Sequence, residues 1–348
     1  MSSTSTEDTG NSLISVKYVL VSLTLSLVGM GVVVYLTYSP GILEYLVFKR
    51  MPGLIIALAI TFLRVWFVAT KIQFLAEGDL DWSAAVRIAL TWDFASAVTP
   101  STIGGAPLAT YAMTREGMQL GKSTALVLYG VLLDQFWYAM AVPVLLITGI
   151  WYEVIPPEIG FVGAVTMVLI YAGLLLYGGL LAYGLLVRPS VIGNLIRWLF
   201  RMPFLRKFQE TMMDEASHLE EYSGELKKKS YGFIGKAFFL STMAWFCRIA
   251  APVIVILSLL PGPEVLLVLR SLAMNLASLV IPTPGGSGGV EGLFALFLGP
   301  LIEREGFIGL ALFLWRVIAY YISIGLGIVA TTWYVNYSFE KNGSEREG

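Results

Sequence analysis

The sequence predicts an all-α polytopic membrane protein: about six spanning helices plus two re-entrant helical hairpins, arranged as an inverted repeat. Three observations predict it. Of 348 residues, 57% are hydrophobic and only 14% charged, whereas soluble domains run near 45–50% and about 25%; the mean hydropathy is +0.75. Several apolar runs exceed the ~18 residues that cross a hydrocarbon core about 30 Å thick. Two further apolar segments are broken in the middle by Pro/Gly clusters. A net charge of −1 and a pI near 6.0 argue against nucleic acid as a partner, and no basic stripe carries interleaved aromatics. One cysteine, Cys247, leaves no disulfide framework and no thiolate site, and one histidine, His218, leaves no histidine zinc site. Neither a metal nor a cofactor is expected.

Residues 1–16 are polar and rich in Ser and Thr, a disordered cytoplasmic tail. The run at 18–38 is too long for a signal-peptide core and no small-residue cleavage site follows, so it reads as an uncleaved anchor opening a transmembrane domain over 17–336. Five further spans are expected at 53–70, 123–149, 161–187, 234–260 and 306–336. The segments 83–119 and 264–303 are interrupted by TPSTIGGAP at 99–107 and IPTPGGSGGVEG at 281–292. Neither half of either segment makes a comfortable span. Each segment reads as a hairpin that enters and leaves on one side, a backbone tolerated only inside protein or beside water; two thin spans each would leave the same loop parity.

The hydrophilic connector 188–233 separates a first half, 45–187, from a second, 234–336. In it Leu205, Phe208, Met212, Ala216, Leu219, Tyr222 and Leu226 recur at helical spacing. Before them Arg197, Trp198, Phe200, Arg201, Phe204 and Arg206 mix bases with aromatics, either an anionic-lipid contact or a solvated connector lying on the membrane. Residues 337–348 form a second tail. Loop bases set orientation: Lys17, Lys71, Arg115, Lys122, eight in 188–233, Lys341 and Arg346 make fourteen on one face, against Lys49, Arg50 and Arg304 on the other. Both termini are therefore expected on the cytoplasmic side of the cell membrane.

A repeat joins the halves. Arg64 and Arg248 lie 184 positions apart, as do Thr99 and Thr283, Pro100 and Pro284, and Gly104–Gly105 and Gly288–Gly289. By the charge count the two arginine-bearing spans run in opposite directions, which is the design of transporters that bind cargo near the midplane between inverted halves.

Charges inside the apolar segments point to the cargo. Arg64, Arg87, Asp93, Asp134, Arg248, Arg270, Glu291 and Arg316 all lie there, and each costs roughly 2.5–3.5 kcal/mol at the bilayer centre on insertion scales. Arg64, near a span end, can snorkel; Asp134, Arg248 and Arg316 sit mid-span. Internal pairing of Asp134 or Glu291 with Arg248 or Arg316 accounts for some of them. Five arginines against three carboxylates nevertheless leave a positive interior, which suits an anion, and the guanidinium fork suits phosphate. Asp134 either orients an arginine or carries a coupling proton. The glycines of PGGSGG either aim bare N–H groups at an anion from a helix start or let the hairpin tip pack closely. Glu291, in the first turn of that helix, serves first as its cap.

The segments FASAVTPSTIGGAPLATYAMTREGMQLGKSTALVL and IPTPGGSGGVEGLFALF resemble the flippase-like family named for the transmembrane domain of lysylphosphatidylglycerol synthase, the multiple peptide resistance factor. The resemblance covers about 15–336. It implies a helical domain that moves lipids between leaflets, the cargo in the resistance factor being an aminoacylated phosphatidylglycerol. Thr99, Pro100, Gly104 and Gly105 match the first hairpin motif, and Pro284, Gly285, Gly286, Gly288, Gly289 and Glu291 the second. Asp134 and Arg316 fall where similar members carry charge. Ala106 stands where many members of that family have Glu or Gln, so this chain lacks that polar side chain. No soluble transferase domain follows the last span, so a separate lipid-modifying enzyme is an expected partner; a homo-oligomer is compatible with all of this.

The expectation is a non-enzymatic lipid translocase or scramblase for an anionic or phosphate-bearing lipid. Arg248, Arg316 and Arg64 would hold the phosphate between the hairpins. Two alternatives stay open: an ion-coupled carrier of a small anionic solute with Asp134 as proton carrier, and a membrane-embedded transferase on a lipid-linked substrate with Asp93 or Asp134 as general base.

Overall fold

The computed structural model describes residues 16–38, 51–99, 104–199, 209–304 and 306–347, and among them the chain is all-helical. The expectations for 1–15, Lys49, Arg50, Pro100, Phe200, Arg201, Phe204, Leu205, Arg206 and Phe208 lie outside the described residues. In chain order come α1 (Val16–Thr37), α2 (Met51–Ala76), α3 (Trp82–Val98), α4 (Ala106–Arg115), α5 (Leu120–Thr148), α6 (Gly160–Ala182), α7 (Ser190–Leu199) and α8 (Gln209–Lys227). The second half holds α9 (Tyr231–Leu259), α10 (Glu264–Ser278), α11 (Gly289–Phe297), α12 (Gly306–Arg316) and α13 (Ile322–Glu347). A π-turn at Tyr183–Val187 ends α6, and another at Val317–Tyr321 joins α12 to α13 without a break.

Among the described residues five stretches are long and apolar enough to cross a membrane: α2, α5, α6 with its flanking turns, α9, and the α12–α13 rod as far as Tyr334. They match five of the expected spans. The sixth, α1, is an apolar helix of 22 residues. In α6 only Ile170 is buried, while Phe161 and Val162 stand out, the surface of a helix that faces lipid. Helices α3, α4, α10 and α11 have 17, 10, 15 and 9 residues. At 1.5 Å per residue even the longest reaches only about 25 Å, so the broken segments are indeed two pairs of short helices.

Local sequence explains the boundaries. The Asp81 carboxylate caps α3 by accepting the Ala84 N–H at 2.6 Å, and Ser230 caps α9 by accepting from Phe233. Pro107 sits in the first turn of α4, where its missing N–H costs nothing. In the connector, Ala216, Leu219 and Leu226 of α8 are buried. Its Glu215 carboxylate accepts the Gly121 N–H at 2.6 Å, so α8 is docked on the start of α5.

Helices α2 and α9 form the central seam. Gly53 meets Ser258 at one end and Phe74 stacks on Phe233 at the other, with centroids 4.6 Å apart. The pair is therefore antiparallel, and Arg64 and Arg248 come opposite one another near its middle. Two apolar clusters flank the seam, one built largely from α2 to α5 and one from α9 to α12.

Two expectations need correction. Helix α2 runs six residues beyond the expected span, so Lys71 is not a loop base: it is buried, 4% exposed, and is removed from the fourteen. Arg64, with twelve residues of helix beyond it, does not snorkel; it is paired inside the protein.

A cationic cavity where the hairpin tips meet

The broken segments turn at glycines. Gly104, Gly285, Gly286 and Gly288 have φ of 59°, 58°, 68° and 84°, a region in which a Cβ is strained. Each turn is closed by its threonine: Thr99 Oγ1 donates to the Gly104 carbonyl at 3.2 Å, and Thr283 Oγ1 to the Ser287 carbonyl at 2.8 Å. The tips touch. The Gly285 N–H donates to the Thr99 carbonyl at 3.3 Å, and a Cβ on Gly285 would lie 2.5 Å from the Ala97 carbonyl oxygen. Gly105 packs equally tightly, a Cβ there lying 2.3 Å from the Trp92 carbonyl oxygen, and Gly289 would collide with Ile281. Close packing thus accounts for Gly105 and Gly289.

Beside the tips lies a cavity of about 250 Å³, the liquid volume of about eight waters at ~30 Å³ each. Its walls bring together Arg64 of α2, Arg248 of α9 and Arg316 of α12, with Gly104 from the first tip and Gly285 and Gly286 from the second. Asp93, Asn275 and Tyr320 add polar groups, and Cys247 lines it too. Arg64 holds both carboxylate oxygens of Asp93 in a forked pair. Arg316 is 2.9 Å from Glu291 and lies over the Tyr320 ring, while its Nε is buried with no hydrogen-bond partner among the described residues. Arg248 has no carboxylate partner among the described residues. Its Nε donates to Asn275 Oδ1 at 3.2 Å, and its guanidinium lies 5.5 Å from the Trp245 ring centre.

Glu291 is fully buried and is the cap its position suggested. One oxygen accepts the Gly288 N–H at 2.8 Å; the other accepts the Ser26 hydroxyl of α1 at 2.7 Å and faces Arg316. The start of α11 is therefore already occupied by a carboxylate. The expected pairing of Glu291 with Arg316 is present.

Asp134 does not enter the cavity. It pairs with Lys71 at 3.2 Å and accepts the Trp245 Nε1–H at 3.1 Å, so it joins neither Arg248 nor Arg316 directly. Lys71 stands seven residues along α2 from Arg64, about 10 Å, and Trp245 links the two stations through its N–H and its ring face. Thr99, Pro284, Gly288 and Glu291 shape or brace the tips without lining the cavity. Arg87 pairs with Glu116 at 2.8 Å, and Arg270 donates to the Glu153 and Phe297 carbonyls, both away from the cavity.

Sequence reasoning missed Ser26, Lys71, Ser96, Trp245, Asn275 and Tyr320. Lys71 had a signal: the apolar run continues through Ile72, Phe74 and Leu75. The π-turn after Arg316, a feature often found at functional sites, shifts the helix register there; Arg316 and Tyr320 line the cavity while Tyr321 reaches Ser26 at 3.0 Å.

The chain is similar in sequence to known membrane proteins. A UPF0104 membrane protein of Archaeoglobus fulgidus is 24% identical over 322 residues, covering 88% of this chain and 93% of that protein. The profile of the family described as the lysylphosphatidylglycerol synthase TM region matches residues 19–327, from within α1 into α13 and so across both broken segments and every arginine of the cavity. The chain belongs to that family of membrane domains.

Proposed function

We propose that the protein is a lipid translocase or scramblase that carries an anionic or phosphate-bearing lipid between the leaflets of the cell membrane. The observation that carries this reading is the convergence of Arg64, Arg248 and Arg316 on one cavity beside the two touching tips. Guanidinium groups are matched to phosphate by charge and by fork geometry, and a cavity of about 250 Å³ takes a head group while the acyl chains stay outside. Membership of a lipid-related membrane family fits the same role.

An inverted repeat would provide the alternation. Helices α2 to α4 and α9 to α11 succeed one another in the same order, and Gly104 and Gly288, 184 positions apart, both take positive φ. The antiparallel α2–α9 seam is the packing that opposite insertion of the halves requires. In this reading the short helices enter and return on one side, both termini face the cytoplasm, and the chain performs no covalent chemistry on its cargo.

The test is reconstitution in liposomes containing leaflet-resolved fluorescent phospholipids, read as the fraction protected from an impermeant quencher. Protein-dependent loss of protection is expected, with Arg248→Gln and Arg316→Gln each slowing it at least tenfold in folded protein. Absence of lipid movement in the wild type would overturn the proposal, and uncoupler-sensitive uptake of a small anion by the same vesicles would replace it with a solute carrier.

A further inference from the structure

Charge at the cavity is unevenly balanced. Asp93 answers Arg64 and Glu291 answers Arg316, while a third pair, Lys71 with Asp134, closes on itself outside the cavity. Arg248 is left with one amide oxygen and an aromatic face. Among the described residues the site therefore carries one net positive charge, and Arg248 is the arginine with no carboxylate in salt-bridge contact. An uncompensated charge at membrane depth is costly. One negative charge relieves it. A dianion overshoots, and a head group without net charge leaves the imbalance in place.

The carboxylates bear on the same question. Both oxygens of Asp93 are engaged by Arg64, and Glu291 is buried behind Arg316 with both oxygens engaged. An ammonium entering the cavity meets three guanidinium groups and no unengaged carboxylate among the lining residues. The remaining polar lining is neutral: Thr61, Ser96, Asn275, Ser278, Tyr320 and Ser323. The Thr61, Ser278 and Ser323 hydroxyls donate to the Ala57, Asn275 and Ala319 carbonyls, and their oxygens can still accept from the hydroxyls of a head group.

We infer that the cavity selects a head group with one net negative charge and no ammonium, a phosphodiester ending in hydroxyls, over the aminoacylated head group that the family resemblance implies. The inference rests on the cavity being the head-group site of the translocase reading. Cys247, the one cysteine in the 348 residues, lines the cavity and serves as a native reporter.

The experiment measures modification of Cys247 by a small methanethiosulfonate reagent, in which the thiolate forms a mixed disulfide and methanesulfinate leaves, in the full-length protein. The protectants are dihexanoyl phosphatidylglycerol, phosphatidylcholine, phosphatidic acid and lysyl-phosphatidylglycerol, above pH 8 so that the phosphomonoester is doubly charged (its second proton leaves near about pH 6 in phosphorylated side chains). Phosphatidylglycerol is expected to protect at a concentration at least tenfold below each of the others. Asp93→Asn adds one positive charge and should raise the preference for phosphatidic acid over phosphatidylglycerol about tenfold. If that variant does not fold, Arg248→Gln carries the test, bringing phosphatidylglycerol and phosphatidylcholine within about threefold of each other. Equal protection by phosphatidylcholine or the lysylated lipid, no protection by any lipid, or an unchanged order in the folded variants would overturn the inference. Protection by phosphatidylglycerol without lipid movement in liposomes would remove the translocase reading and leave this one standing. Lipid movement without head-group order at Cys247 would do the reverse.

Discussion

Glu291 joins three elements that are far apart in the chain: α1 through Ser26, the start of α11 through Gly288, and α12 through Arg316. A hydrogen bond to a charged group contributes about 1.5–3 kcal/mol. Ser26→Ala is therefore expected to lower stability by about 2 kcal/mol, measured as a shift in denaturation midpoint in detergent, and to loosen α1 from the rest. Gly285 is constrained in a different way. Its positive φ alone makes Gly285→Ala cost about 1–2 kcal/mol, and the Ala97 carbonyl 2.5 Å from the new Cβ adds to it. Gly224, helical with open space around its Cβ position, should tolerate alanine; equal losses at both positions would contradict the contact between the tips. Residues of this kind were only partly legible in the sequence. TP-x-x-x-GG announced a tight turn, and Glu291 announced a cap. Ser26 announced nothing, since its role depends on a partner 265 positions away.

At the scale of elements, α3 shows how a short helix is held at its exposed end. The Ala84 N–H and the Ser83 hydroxyl keep the Asp81 carboxyl below the usual carboxylate range. The folded chain thus binds fewer protons there than the unfolded chain. This stabilisation is present above the ordinary carboxylate pKa of about 3.9 and is lost as pH falls through the lower folded value. Asp81→Ala should lower the melting temperature at neutral pH, and the gap between variant and wild type should close as the medium is acidified below pH 3. Helix α9 ties the two polar stations together through Trp245. Trp245→Phe keeps a ring beneath Arg248 but removes the N–H that Asp134 accepts. The expected result is a modest loss of stability, about 1.5–3 kcal/mol for a bond to a charged acceptor, with Cys247 protection by lipid kept within about threefold. A tenfold loss of protection would mean that Asp134 controls the cavity through this ring. The Pro/Gly clusters had marked where the two segments break, between α3 and α4 and between α10 and α11. The extra turns of α2 past residue 70 were hidden because Lys71 resembles a loop base until its partner on α5 is known.

For the whole molecule, the first half contributes Arg64 and the second contributes Arg248 and Arg316 to one cavity. Residues that contact one ligand couple, whereas independent sites add within about 0.3–0.5 kcal/mol. Arg64→Gln and Arg248→Gln are each expected to weaken lipid protection of Cys247, and the double variant should fall short of the summed effects by more than that margin. Strict additivity would mean that the halves bind separately. The seam explains why they meet. Gly53 lets α2 and α9 approach closely, and the antiparallel packing sets residue 64 against residue 248.

The sequence by itself determined what composition and spacing can encode: a helical chain that spans a membrane, two segments broken at glycines, a surplus of arginine in the apolar segments, and an arginine followed by T-P-x-x-x-G-G at two places 184 positions apart. These follow from transfer free energies and backbone sterics, which act on each segment locally. Only the tertiary structure decided how the charges were shared. Lys71 took Asp134, Asp93 took Arg64 and Glu291 took Arg316, and Arg248 was left without a carboxylate in salt-bridge contact among the described residues. Pairing inside a membrane depends on which side chains come within about 4 Å of each other, and that is set by how helices distant in sequence pack together.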